Sequence, residues 1–500
     1  MYYKVVVLQR SCSKLPTVSA LPRLLDREAE LSRLDDAWRK AGIGEAQLVI
    51  VWGRRRVGKT FLLSHFVQGK RAVFFGATQQ SEAVELGRLL DAVRRDLGAE
   101  TADLAGGSFS SWESALRFFV ALTSRGGAFT VGRSAVGGRD TLGGGDPLVL
   151  VLDEIPYLTR STKGFASIIQ TVWDRVPPGT RLMLVLTGSA VGVMEELQGA
   201  DGALRGRPTM SLRVDPVDLL GAHLFLRKLR ASALIEAYAA CGGYPLHLKE
   251  WDQVASTEEN LVRLAGTTGG ILLDDAAAML REELPEVGGY PRVLAAVGRG
   301  ASRFSEIASQ ADQRVEHPLD VLTSTGFLRR ATPLGAPRAA KPLYEIADPY
   351  LAFWFGVLYS DIPFIETGQG RQVLRRKESQ WQRHLGWVFE EQARAHARRL
   401  VATGRLLDDL VVGRWWSTTR EPCEVDVLGL RGSRTHLVGE ARWQQQPLGN
   451  RDLESLQRKV ARVPRPVEDI IFVLWGRGGV RPETTKAGAL GFGADDVASP

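Results

Sequence analysis

Eight residues constrain this chain more than any others: Gly53-Arg54-Arg55-Arg56-Val57-Gly58-Lys59-Thr60. An apolar run from Gln47 to Trp52 precedes them, and the stretch Phe61 to Val67 that follows begins a helix. A buried strand that ends in Gly-x4-Gly-Lys-Thr and re-enters a helix suits one task. Its backbone curls so that N–H groups face phosphate oxygens, the lysine meets the β- and γ-phosphates, and the hydroxyl serves Mg²⁺. The helix N-terminus adds its own preference for anions. The spacing therefore predicts ATP contact by Gly53, Arg54, Val57, Gly58, Lys59, Thr60 and Phe61. Lys59 also acts in catalysis, and Thr60 is a metal ligand. A chance match in a chain rich in glycine and arginine is the competing explanation, and the strand–loop–helix context counts against it.

A second strand, Leu148 to Leu152, is continuously apolar and ends in Asp153-Glu154. A carboxylate there is placed to hold Mg²⁺, which assigns Asp153 to the metal. Glu154 is then placed to orient and polarise the attacking water. A third strand, Arg181 to Leu186, runs into Thr187-Gly188-Ser189. Ser189, or Thr187 beside it, can contact the γ-phosphate or the water; a plain Ser/Thr turn is the other reading. Arg205 and Arg207 follow a glycine-containing segment. Either can serve as an arginine finger, in cis or in a neighbouring copy of a homo-oligomer, or can be a surface arginine.

Strands alternating with helices imply a parallel sheet covered on both faces. Asp26 to Lys40 reads as an amphipathic helix capped by Asp26, and Arg71 to Phe75 as a further strand. Residues 124 to 146 are rich in glycine and lack periodicity, which predicts a flexible surface insertion. Beyond residue 225 the pattern turns helical. Val293 to Val297, Phe304 to Gln310 and Leu319 to Leu328 read as short helices, and Leu343 to Ile346 as a strand, the outline of a winged helix-turn-helix. A long helix follows at Trp381 to Leu400. Strands at Glu424 to Leu430, Thr435 to Ala441 and Asp469 to Trp475, with a helix near Asp452 to Val460, mark a separate small α/β domain.

The net charge of +7 permits a nucleic-acid partner without demanding one. Three scattered cysteines, Cys12, Cys241 and Cys423, form no CxxC pair. A disulfide framework or zinc ribbon is thereby disfavoured and a reducing, cytoplasmic setting favoured. No apolar run approaches the roughly 18 residues that a membrane helix needs.

These residues together resemble a family, the archaeal-type prokaryotic ATPases of the AAA-like and STAND division of P-loop NTPases. The likeness is carried by Asp26 to Leu31, Trp52 to Thr60, Leu150 to Leu158, Leu186 to Ala190, Cys241-Gly242-Gly243-Tyr244-Pro245 and Asp348 to Phe355. Residues 1–20 carry no clear pattern and read as a disordered leader. From about residue 21 the resemblance implies a multidomain α/β chain: a P-loop core over 21–222 and a helical lid over 223–284. A winged helix with its following segment would span 285–362, and a C-terminal domain resembling the PD-(D/E)XK nuclease fold 363–500. The resemblance also implies that Arg27 and Glu28 lie near the adenine and that Pro245 helps to close the lid.

In the C-terminal domain, a turn near Ser433 makes Asp426 and Glu440 cross-strand partners on one face, about 5 Å apart. Two carboxylates at that spacing can clamp Mg²⁺, with Glu390 as a third ligand. The nuclease pattern has lysine where this chain has Arg442 in Glu440-Ala441-Arg442, and arginine stays protonated. Trp415, Trp416 and Trp443 can stack on bases or fill a core. Arg329, Arg330 and Arg338 fall near the wing and can meet phosphates. Three functions stay open: an ATPase that rearranges its appended domains, with double-stranded DNA or a protein as partner; a slow nucleotide switch; and an ATP-gated nuclease.

Overall fold

The computed structural model describes residues 21–98, 107–124, 128–131, 134–137, 146–284, 289–337, 340–417 and 422–499. The leader, Cys12 and Arg338 lie outside these. The chain divides into two compact units at Asp215 and Pro216. The segments read as lid, winged helix and C-terminal domain all fall in the second.

The first unit is built on five parallel strands: β1 (Gln47–Trp52), β2 (Ala72–Gly76), β5 (Leu148–Asp153), β6 (Leu182–Gly188) and β7 (Met210–Arg213). Their order is β2-β5-β6-β1-β7. Every residue of β5 and β6 is buried, as expected of strands covered on both faces. One face packs on helices Glu82–Leu97 and Trp112–Thr123, whose Trp112, Phe118 and Phe119 are fully buried. The first helix spans Glu28–Gly42, and Arg27 rather than Asp26 occupies its N-cap. Asp26, one residue before that N-cap, has φ +56°. Within the glycine-rich stretch 124–146, β3 (Ala128–Val131) pairs antiparallel with β4 (Ser134–Gly137). Most of the remaining insertion lies outside the described residues.

In the second unit three short helices, Tyr290–Gly298, Phe304–Ala311 and Glu316–Ser324, precede an antiparallel pair, β8 (Leu328–Ala331) and β9 (Leu343–Ile346). The stretch read as the third helix with its end stops being helical at Ser324 and turns into β8. Asp348 caps the next helix by accepting from Leu351 N at 2.9 Å, and Pro349 fills its first turn. The Tyr350 hydroxyl and Trp354 Nε1 donate to the carbonyls of Leu272 and Leu273, at 3.1 and 2.8 Å. Helix Glu378–Ala402 leads to a second sheet of β10 (Val411–Trp416), β11 (Glu424–Arg431), β12 (Arg434–Arg442), β13 (Pro466–Gly476) and β14 (Ala489–Phe492). Its strands lie in sequence order, the first two pairings antiparallel and the last two parallel.

Candidate active site

Parallel register gathers the candidate residues at one edge of the first sheet. Trp52 lies level with Gly188, Leu152 with Leu186 and Gly76 with Asp153. Because β6 lies between β1 and β5, the segment Thr187-Gly188-Ser189 stands between the loop after Trp52 and the acidic pair. Ligands of open α/β sheets bind at this carboxyl edge.

The loop requires its glycines. Gly53 has φ +148°, and a Cβ there would sit 2.1 Å from the Val214 carbonyl oxygen. Gly58, at φ +95°, is the N-cap of helix Lys59–Phe66. Lys59 is buried, and its ammonium donates to the carbonyls of Gly53 and Arg54, at 2.8 and 3.0 Å. Arg54 and Val57 are buried, and Phe61 stands on the first helical turn.

Thr60 Oγ1 donates to Asp153 Oδ2 at 2.7 Å. Burial, and then the neighbouring charge of Glu154, push the Asp153 carboxyl up to about 6 against the opposing pull of Thr60 and Lys59. A carboxylate in that state gains from a cation beside it. Hydroxyl and carboxylate oxygens are also the donors that Mg²⁺ prefers, so the pair fits the metal that the motif implies. Glu154 occupies the left-handed region, φ +58°. Its Oε2 accepts from both Ser189 N, at 3.2 Å, and Ser189 Oγ, at 2.9 Å. Thr187 is fully buried within β6, so of the two hydroxyls considered Ser189 is the one that reaches Glu154.

Most of the other expected residues engage protein groups. The Arg27 guanidinium is occupied by protein: it donates to Val57 O at 3.2 Å, Asp215 O at 2.7 Å and Glu30 Oε1 at 3.0 Å. Glu28 accepts from Arg27 N at 3.0 Å. Arg207 makes a two-pronged pair with Asp174, at 2.7 and 2.9 Å. Arg205 is exposed and donates to Ala200 O at 2.8 Å. Pro245 opens helix Pro245–Glu250 in the second unit. The glycine two residues before it is sterically required, since a Cβ on Gly243 would lie 1.8 Å from Val217 O.

In the second sheet, Gly432 and Ser433 form the turn, and a register shift after Gly429 sets Val427 against Gly439. Continued one step, this register brings Asp426 opposite Glu440, and Asp426 Oδ2 accepts from Ala441 N at 2.9 Å. The Glu440 carboxylate of that pair is engaged by cations. Glu440 is ion-paired through one oxygen to Arg442 and through the other to Lys459 Nζ, the latter at 2.7 Å. Among the described residues no three His, Cys, Asp or Glu side chains are arranged to hold a metal ion. Glu390 is pushed up to about 8, first by burial and then by the charge of Asp426. Burial also raises Asp426. Lys459 was missed in the sequence because it comes from helix Asn450–Lys459, outside the strand pattern.

The wing arginines are also engaged. Arg329 is held between Glu345 and Glu391, and Arg330 pairs with Asp320. Trp415 is a core residue packed with Val425 and Leu428, the second of its two readings. Trp416 and Trp443 lie under Arg414 and Arg477.

A glycine loop on a parallel sheet, with Lys59, Thr60 and Asp153-Glu154 gathered at one edge, defines a P-loop NTPase. Residues 24–251 match the family described as an ATPase domain predominantly from Archaea, and residues 354–457 match a family of archaeal and bacterial proteins of unknown function. The chain therefore carries an archaeal-type ATPase domain joined to a C-terminal domain of that second family. An uncharacterized protein of Methanocaldococcus jannaschii is 23% identical over 450 residues, 88% of this chain and 91% of that protein. An uncharacterized ATP-binding protein of the same organism is 40% identical over 47 residues, 9% of this chain and 75% of its own. Among solved structures, the Walker-type ATPase of Pyrococcus abyssi aligns at TM-score 0.45 and 19% identity, over 66% of this chain and 96% of its own. The Aeropyrum pernix ORC2 protein aligns at 0.42 and 14%, over 73% and 98%. No helix among the described residues is long and apolar enough to cross a membrane.

Proposed function

We propose that the first unit hydrolyses Mg²⁺-ATP and that turnover drives rearrangement of the lid, winged-helix and nuclease-like segments. The observation that carries this reading is the double donation from Ser189 to Glu154, which aims the carboxylate of a water-activating residue. Thr60 and Asp153 are the residues that would hold Mg²⁺. Bound there, the ion supplies charge neutralisation on the transferred phosphoryl group. Lys59 exchanges its two loop carbonyls for phosphate oxygens, and the N–H groups from Gly53 to Thr60 cradle them. Glu154 orients the water and accepts its proton. Arg205, exposed and held by one carbonyl, is the finger offered to a neighbouring copy. Glu28 is assigned to the adenine side, and Pro245 acts in the lid. Steady-state turnover tests the reading. Glu154→Gln should bind ATP and not turn it over, and Lys59→Ala should lose both. Turnover by Glu154→Gln at the wild-type rate would refute the assignment.

The three helices with β8 and β9 are read as a winged helix. Its third helix exposes Glu316, His317 and Asp320 and carries no lysine or arginine. Phosphate backbones select for cations. This face therefore favours a protein partner over double-stranded DNA.

The ATP-gated nuclease is the second reading, and one observation favours it. Lys459 brings to Glu440 the lysine that Glu440-Ala441-Arg442 lacks. DNA cleavage in Mg²⁺-ATP that is lost in both Asp426→Ala and Lys459→Ala supports it; absence of cleavage by the wild type removes it.

A further inference from the structure

The segment by which the chain leaves the first unit is fastened to the nucleotide loop at successive points. The Trp52 indole donates to Ser211 Oγ at 3.0 Å, and the Arg213 guanidinium lies 5.3 Å over the Trp52 ring. Val214 N donates to Trp52 O at 2.7 Å. The Val214 carbonyl closes on Gly53 so tightly that no side chain fits between them. Asp215, the last residue of the unit, is tied by its carbonyl to Arg27, and one nitrogen of the same guanidinium also holds the Val57 carbonyl.

That last contact has a directional consequence. In a trans peptide the C=O and the following N–H point opposite ways. A guanidinium that holds Val57 C=O therefore aims the Gly58 N–H away from Arg27. A phosphate cradle depends on converging N–H groups, and a flipped peptide would present a carbonyl in place of a donor. Arg27 is buried, and one nitrogen, Nη2, serves the loop and the exit segment at once. A shift of the Val57–Gly58 peptide on nucleotide binding must then alter the hold on Asp215, one bond before Pro216.

We infer that Arg27 is a positioning residue that sets the Val57–Gly58 peptide for phosphate and transmits the state of that peptide to the chain exit at Asp215. The inference rests on ATP binding at the P-loop. It differs from a base-side role because the guanidinium is committed to two backbone carbonyls rather than presented to a ligand.

The test uses the full chain as wild type, Arg27→Lys and Arg27→Ala. ATP turnover is measured as KM and kcat separately, and hydrogen exchange over residues 210–217 is followed with and without Mg²⁺-ATP. A charge-assisted hydrogen bond lost from the loop should raise KM about tenfold in Arg27→Ala with kcat little changed. Arg27→Lys, which reaches one carbonyl at a time, should recover part of KM. Saturating ATP should slow exchange over 210–217 in the wild type and fail to do so in Arg27→Ala, although that variant still binds. Wild-type KM and wild-type ATP protection in Arg27→Ala would overturn the inference while leaving the P-loop reading intact. Absence of ATP binding by the wild type would overturn that reading and the coupling with it. Should Arg27→Ala fail to fold, Arg27→Lys carries the same comparison.

Discussion

Replacing Ser189 with alanine removes one of two donors to Glu154 Oε2, the hydroxyl at 2.9 Å, and leaves the backbone N–H at 3.2 Å. A hydrogen bond to a charged group contributes about 1.5–3 kcal/mol. The remaining N–H retains part of the alignment, so the lower end applies, about 1.5–2 kcal/mol of transition-state stabilisation. At about 1.4 kcal/mol per factor of ten, kcat should fall roughly 10- to 30-fold. KM should hold, because no Ser189 contact belongs to the loop that cradles phosphate. Ser189→Thr keeps the hydroxyl and should restore most of the rate. On the residual single-turnover rate of a Glu154→Gln background, the same Ser189→Ala change should cost almost nothing further, since both act through one side chain. Steady-state turnover over a range of ATP concentrations separates the two constants. If kcat in Ser189→Ala stays within about twofold of wild type, below what one such bond contributes, the hydroxyl does not aim Glu154. An unchanged penalty in the Glu154→Gln background would show that it acts on something else.

Further expectations concern the scaffold. Gly53→Ala combines a backbone at φ +148° with a Cβ 2.1 Å from Val214 O; strain alone costs about 1–3 kcal/mol, so the denaturant midpoint of the chain should fall and ATP binding should be lost. His384 is buried, with its pKa lowered to about 4 by burial against a hydrogen bond to Ala239 O. The neutral ring is the folded form, so its contribution is complete above the unfolded value of 6.5 and is lost as pH falls through 6.5 toward 4. A shift of that size corresponds to up to about 3 kcal/mol, and His384→Gln should flatten the acid limb of a stability–pH curve. Arg329→Ala leaves Glu391, whose carboxyl is held down to about 2 by Arg394 and Arg329 despite burial, with Arg394 alone. Arg329 is partly exposed, so solvent screens the loss, and a drop of about 1–2 kcal/mol in unfolding free energy is expected. Arg207→Ala should leave turnover unchanged, because the guanidinium serves Asp174.

What the sequence made legible follows from local pattern. The continuous apolar runs of β1, β5 and β6 announced buried parallel strands, and the residues at their ends fell where the motif required. The hairpin joining β11 to β12 was readable, but the register shift after Gly429 that brings Asp426 opposite Glu440 left no mark in the pattern. Edge strands β10 and β14 were not read; β14 has four residues, too few for a period to show. Side-chain commitments between distant residues left no trace either. Arg27 reaches Asp215 across 188 positions, and Lys459 reaches Glu440 across 19. Neither pairing has a spacing that periodicity can detect. Arg207 and Arg329 looked available because their carboxylate partners, Asp174 and Glu391, lie in other elements.

The most direct measurement is the identity of the nucleotide held after wild type and Glu154→Gln are each incubated with Mg²⁺-ATP, separated from free nucleotide and denatured. ADP on the wild type and intact ATP on Glu154→Gln is the expected result, since Lys59, Thr60 and Asp153 still bind while the water loses its base. ADP on both proteins in equal amount would place the hydrolytic group elsewhere and contradict the catalytic assignment made from Glu154 and Ser189.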